Sequence, residues 1–314
     1  MKIVFFGSSH FAVPALEALI NSRHEIICVV TQPDKKKGRH LHVSGTEVKN
    51  IASGAGLKIF QSENIKSKES VKFLKNSQAD VFVIVSYGQI LSQEILDIPK
   101  IMPLNIHASL LPRYRGAAPI NWAIINADKK TGVTIMYVTA KMDCGPVLIQ
   151  KEIKINEDDT FISLEEKMSK LGAELLIPAL TSIENKDYRL IDQDEEAAVY
   201  APKLNKEIGL IDWSAQAVNI ASQIKGVLPW PGAFTLYRKK ILKIFKAEVI
   251  QVFSSHKAVP GEVLRIDKDA IVVACGKGFL KIKELQLESG KRMPAGNFII
   301  GHNLSAGVVL GQAG

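Results

Sequence analysis

The chain predicts an α/β domain built on a parallel sheet, followed by a smaller all-β domain. Three observations carry this expectation. Apolar, β-branched runs alternate with segments of helical period over the first part of the chain. From Lys206 onward the texture changes to short strand-like runs divided by turn residues. Finally, 314 residues exceed the usual size of one packed core. The expected division is residues 1–184, a polar and acidic linker over 185–205, and a second domain over 206–314.

Taken in order, Ile3–Phe6 is a short apolar run ending in Gly7-Ser8-Ser9, and Phe11–Ile20 repeats apolar residues at helical spacing. This predicts strand, turn and helix, with Ser8 or Ser9 as the helix N-cap. Ile26–Val30 is a second strand, and two such units joined by a helix indicate parallel pairing. Gly7-Ser8-Ser9-His10 lacks the glycine spacing of a dinucleotide fingerprint. Val81–Val85 is apolar on both faces, as a central parallel strand should be. Pro103–His107 and Val133–Val138 follow as strands, with Val147–Ile155 as an antiparallel addition. Ser163–Ile183 reads as a long helix opened by a Ser163-x-x-Glu166 capping box. Beyond the linker, Ala233–Tyr237, Leu242–Phe245, Gly261–Ile266, Ala270–Ala274 and Phe279–Leu287 predict a small barrel or sandwich.

Composition narrows the class. An apolar fraction of 46% and a charged fraction of 23% are those of a globular protein and exclude collagen-like, coiled-coil and disordered chains. No apolar run approaches the roughly 20 residues that span a bilayer. Met1-Lys2 leads straight into the first strand, without a signal peptide's apolar region. Cys28, Cys144 and Cys275 are widely spaced, so neither a disulfide framework nor a zinc site is expected. The histidines show no metal spacing, and the expected location is cytoplasmic.

The net charge is +8, and residues 205–314 hold 15 Lys and Arg against 8 Asp and Glu. A basic module joined to a neutral one suggests a polyanionic partner, nucleic acid first. A lysine-rich surface is the commoner source of a modest excess, so charge alone does not decide it. A second basic cluster stands at Lys35-Lys36-Lys37-Gly38-Arg39.

The densest group of chemically capable residues is Leu104–Pro112. Strand alternation places Asn105 and His107 on one face. An amide and an imidazole side by side suit acyl transfer, because the amide donates to a developing oxyanion and the imidazole moves a proton near neutrality. A lone strand histidine is more often structural, and Asp143, in Met142-Asp143-Cys144-Gly145-Pro146, is by itself a turn former. If that turn meets the Asn105–His107 strand, its carboxylate orients the imidazole. Ser109 has no nucleophile elbow and Cys144 no neighbouring base, so direct transfer between two substrates is favoured over covalent catalysis.

These residues resemble a known family. Asn105-Ile106-His107-Ala108-Ser109-Leu110-Leu111-Pro112-Arg113-Tyr114-Arg115-Gly116-Ala117-Ala118-Pro119-Ile120, with Thr131-Gly132-Val133-Thr134-Ile135 and Met142-Asp143-x-Gly145 downstream, is similar to the signature of the folate-dependent formyltransferases. Thr31-Gln32-Pro33-Asp34 followed by Gly38-Arg39, Ile211-Asp212-Trp213 and Pro229-Trp230-Pro231-Gly232-Ala233 resemble the members that act on initiator methionyl-tRNA. The resemblance implies a Rossmann-like catalytic domain and a C-terminal, tRNA-binding barrel of the oligonucleotide-binding type. It implies formyl transfer from 10-formyltetrahydrofolate, without a metal, by a monomer. It assigns catalysis to Asn105, His107 and Asp143, and folate contact to Ser109, Leu110, Leu111, Pro112, Gln89, Ile90 and Leu91. It also implies a cis Leu111–Pro112 step. Lys35, Lys36, Lys37 and Arg39 fall on the loop that probes the tRNA acceptor stem. That loop continues here as His42–Glu47, where the family has a proline-rich stretch. The nearest alternative keeps the chemistry and takes an amino-sugar nucleotide as acceptor. Glycinamide ribonucleotide formyltransferases normally lack the basic second domain, and a non-catalytic RNA-binding protein would not need all three candidate catalytic groups.

Overall fold

The computed structural model describes residues 1–37, 42–250 and 258–311. By internal contacts the chain divides into two units. The first comprises residues 1–119, 131–154 and 165–201; the second comprises 120–130, 155–164 and 202–314.

The strands of the first unit begin with β1 (Lys2–Gly7), β2 (Glu25–Thr31) and a short pair, β3 (Lys35–Lys37) and β4 (His42–Ser44). They continue with β5 (Ile59–Gln61), β6 (Val81–Val85), β7 (Met102–His107), β8 (Arg115–Gly116), β9 (Lys130–Tyr137), β10 (Val147–Lys154) and β11 (Tyr200–Ala201). Seven of them form one sheet in the order β10-β9-β7-β6-β1-β2-β5. Pairing from β5 to β7 is parallel, and β9 joins β7 antiparallel. The strand order turns back between β1 and β6, and ligands of open α/β sheets bind in the crevice beyond such a switch point.

Helices α1 (Val13–Ile20), α2 (Glu47–Gly54), α3 (Lys68–Asn76), α4 (Gln93–Leu96), α5 (Pro119–Ile125) and α6 (Phe161–Glu184) connect these strands. Phe6, Phe82 and Tyr87 pack with Val4, Cys28, Val30, Ile65 and Leu74 in one buried cluster. Burial of β1 and β6 on both faces agrees with their unbroken apolar runs.

Two expected caps are corrected. Neither Ser8 nor Ser9 caps α1 with its side chain, and Ala12 precedes that helix. The Ser8 hydroxyl instead donates to Tyr87 O and accepts from Gln32 N, tying the ends of β1, β2 and β6. Helix α6 starts at Phe161, so Ser163 lies inside it. Thr160 and Ser163 exchange the capping bonds, and Ser163 Oγ also donates to Asp159. The acceptors nearest the helix start win, because they meet the first unpaired N–H groups.

The second unit holds an antiparallel sheet of six strands, β12 (Ala233–Tyr237), β13 (Lys240–Ile250), β14 (Val263–Ile266), β15 (Ile271–Ala274), β16 (Phe279–Leu287) and β17 (Met293–Pro294). The order is β12-β13-β16-β15-β14, with β17 beside β16. Two helices absent from the sequence reading, α7 (Ala217–Gly226) and α8 (Ala295–His302), supply Ile220, Ile224 and Phe298 to its core. The Trp213 indole donates to Thr235 Oγ1 at 2.9 Å within that core.

Candidate active site

Strand β7 delivers the central pair. Asn105 lies opposite Ile84 on one side and Met136 on the other, and His107 lies opposite Thr134. Asn105 is half-buried, and no hydrogen bond engages its amide among the described residues. His107 is buried. Its Nε2 donates to Tyr114 O at 2.9 Å, and since a carbonyl only accepts, that nitrogen carries the proton.

The turn after β9 brings Asp143 to the ring. Asp143 Oδ2 stands 3.7 Å from His107 Nδ1 and accepts the Gly116 N–H at 2.8 Å. A separation of 3.7 Å is longer than a hydrogen bond, and the contact becomes an ion pair only when the ring is protonated. Asp143 has φ +50° and Tyr114 φ +61°, left-handed values that non-glycine residues hold only when the surroundings impose them. Gly145 could not be another residue, because a Cβ there would lie 1.9 Å from Tyr137 O.

The loop Ser109–Pro112 is held from below. Thr134 Oγ1 donates to Ser109 O and accepts from Leu111 N, while Gln150 Nε2 donates to Leu111 O. Ser109 Oγ donates to Arg113 O. Leu110 and Pro112 are half-buried, and Leu111 is buried. The Leu111–Pro112 bond is cis, as the resemblance implied.

Beyond β6, the Gln89 amide accepts from Ile65 N and donates to Ser62 O, so it fixes its loop. Ile90 is exposed and Leu91 buried. Burial pushes the Tyr87 phenol up to about 12, and its hydroxyl has no partner among the described residues. Gln32 Nε2 and Ser9 Oγ, at the carboxyl ends of β2 and β1, are likewise buried and unpartnered there.

Of the basic loop residues, Lys35 is exposed on the β3–β4 hairpin. Lys36 and Lys37 are placed there by their backbone, and Arg39 lies outside the described residues. Asp34 accepts from Lys49 and Gln61 at the base of the hairpin, and both bonds hold its carboxyl below the usual range.

Sequence reasoning missed a support behind Asp143. The Arg115 side chain is fully buried and places both terminal nitrogens on Glu195 at 3.0 Å. Gln193 Oε1 accepts from Arg115 Nε, and its Nε2 donates to the carbonyls of Asp143 and Gly145. Hydrogen bonds from Arg115 and then Lys141 hold the Glu195 carboxyl down to about 2. No local pattern in Gln193-Asp194-Glu195 announces these partners. No cluster able to hold a metal ion occurs among the described residues.

An α/β sheet whose strand β7 carries an amide and an imidazole, with a carboxylate 3.7 Å from the ring, has the groups that acyl transfer uses. Residues 1–180 match the family model described as Formyl transferase, and residues 203–303 match Formyl transferase, C-terminal domain. The chain is 44% identical over 312 residues to the methionyl-tRNA formyltransferase of Acetivibrio thermocellus, covering 99% of this chain and 100% of that protein. Among solved structures, the sugar 3N-formyl transferase WlaRD, crystallised with dTDP and 5-N-formyl-THF, superposes with a TM-score of 0.68 at 19% identity. It covers 93% of this chain and 99% of its own. HypX from Aquifex aeolicus in complex with tetrahydrofolic acid superposes with a TM-score of 0.62 at 17% identity, over 95% of this chain and 47% of HypX, so the chain spans about half that protein's length. The chain belongs to the methionyl-tRNA formyltransferase family of folate-dependent formyl transferases.

Proposed function

We propose that the chain transfers a formyl group from 10-formyltetrahydrofolate to the amino group of methionine on initiator tRNA, with Asn105, His107 and Asp143 around the reacting carbonyl. The observation that carries this reading is the meeting of Asp143 with His107, 3.7 Å apart, on the strand that also presents Asn105.

The folate supplies the formyl group, and its N10 leaves with the proton that the amine gives up. The unengaged Asn105 amide donates to the carbonyl oxygen as negative charge develops on it. A fixed donor in a site shielded from water lowers the barrier more than water does. Since Nε2 of His107 is committed to Tyr114, proton movement falls to Nδ1, with Asp143 beside it to stabilise the charged ring. Bonds between catalytic groups often shorten only in the loaded complex.

Ser109–Pro112 and Gln89–Leu91 are the folate-contacting segments in this reading. The buried, unpartnered Gln32 amide fits a flat heterocycle with exposed acceptors in the neighbouring crevice. Lys35, Lys36, Lys37 and Arg39 neutralise phosphates of the acceptor stem, and the basic second domain adds affinity. The protein acts as a cytoplasmic monomer. No helix among the described residues is long and apolar enough to cross a membrane.

Single-turnover formylation tests the assignment. Asn105→Ala should fold normally and lose about 10²–10³ in rate, the usual effect of removing one oxyanion donor. A near-normal rate would overturn it. Arg39→Ala should weaken use of charged initiator tRNA far more than folate binding, and equal losses would make the hairpin structural. Formylation of an amino-sugar nucleotide in preference to charged tRNA would reassign the acceptor.

A further inference from the structure

We propose that Gln193 is a positioning residue for the transfer, clamping the turn that presents Asp143. The proposal rests on the reading that Asp143 serves His107.

The segment 191–195 runs beside the turn 141–147 and grips it at three successive points. At one end, Val147 N donates to Ile191 O and Ile191 N donates to Val147 O, at 2.7 and 2.9 Å. At the other end, Lys141 Nζ meets Glu195 Oε2 at 3.0 Å. Between them, Gln193 Nε2 donates to Asp143 O at 2.9 Å and to Gly145 O at 2.7 Å. The three contacts fall at residues 191, 193 and 195, so a single short stretch of chain makes all of them.

The amide of Gln193 is itself fixed. Its oxygen accepts from Arg115 Nε at 3.0 Å, and that guanidinium is wholly buried with its remaining nitrogens on Glu195. All three polar positions of the Gln193 side chain that face the turn and the guanidinium are thus used. Arg115 also connects to the other contact on Asp143, because the next residue, Gly116, donates its N–H to the carboxylate. One network therefore sets the backbone of Asp143 through Gln193 and its Oδ2 through Gly116. The left-handed φ of Asp143 is the strain this network sustains. Released, the turn would relax toward ordinary φ and swing the carboxylate from the ring. A displacement on the order of 1 Å costs about 100-fold in turnover.

The test is a double-mutant cycle on the full chain, read by single-turnover formylation and by the KM for each substrate. Gln193→Leu should lower the rate about 10- to 100-fold with both KM values nearly unchanged. In an Asp143→Asn background the same substitution should cost less than about threefold, because a residue that acts through Asp143 has nothing left to position. Gln193→Glu keeps the acceptor for Arg115, removes the donors to the two carbonyls and sets a charged oxygen against them. It should reproduce the loss, and it carries the test if Gln193→Leu does not fold. Equal losses in both backgrounds, or a full rate in Gln193→Glu, would overturn the positioning role. A full rate in Asp143→Asn alone would instead overturn the catalytic reading on which it rests.

Discussion

Replacing Gly116 by alanine should slow the enzyme and weaken the fold together, and the size of both effects can be worked from the surroundings of one atom. Gly116 has φ +121°, outside the regions that L residues adopt. A Cβ there would stand 2.7 Å from Ala201 O, about 0.7 Å short of ordinary contact, and the obstacle is backbone that cannot rotate away. The dihedral strain is worth about 1–3 kcal/mol, and the overpacking about 1–3 kcal/mol. A retreat of β11 relieves part of both, so a net loss of about 2–4 kcal/mol is expected from the pair. The same retreat shifts the N–H that Asp143 accepts, and a misplacement of that order should cost about 10- to 100-fold in turnover. Urea unfolding followed by circular dichroism reads the first effect, and single-turnover formylation at saturating substrates reads the second. Gly54→Ala is the control, since nothing lies within 4 Å of its Cβ position. It should keep full activity and gain up to about 1 kcal/mol. A Gly116→Ala enzyme with wild-type rate and stability would show that neither this dihedral nor this N–H constrains Asp143.

Two further outcomes follow from the titration of buried and paired groups. Burial pushes the Cys28 and Cys275 thiols up to about 12, so iodoacetamide at pH 8 should label Cys144 and spare the other two in the native protein, as peptide mass spectrometry would show. Glu195, held at about 2 by Arg115 and Lys141, has a depressed pKa, so its contribution is complete above the ordinary carboxylate value and fades as pH falls toward 2. The difference in melting temperature between wild type and Glu195→Gln should be constant above pH 5 and shrink below about pH 4. A difference that grows on acidification would contradict the assigned direction.

What the sequence disclosed followed the reach of its signals. A strand period of two was enough to put Asn105 and His107 on one face, and an apolar run without alternation marked Val81–Val85 as central. The Asn105–Ile120 motif disclosed the family, because its residues are contiguous. The sequence places the start of α6 two residues late: Asp159 and Thr160 offer the same kind of oxygen as Ser163, and only the first free N–H groups decide among them. Helix α7 was legible in principle, with Ala217, Ile220, Ala221 and Ile224 at helical spacing, yet that short period was overshadowed by the strand pattern that follows. Gln193 and Glu195 could not be read at all. Their partners lie about 50 and 80 positions away in the chain, and a polar stretch without apolar period looks the same whether it is solvated or clamped.

The threading of the chain through its two units sets a limit on dissection. Asn121, from the middle of the sequence, donates its amide to Gly226 O, and Ile125 packs against the core around Ile220 and Phe298. A fragment begun at residue 203, where the second family model starts, would therefore leave behind part of its own interior, with an apolar wall open to water and a carbonyl stripped of its donor. Cleavage in the 185–205 stretch would likewise nick this protein without releasing an autonomous second half.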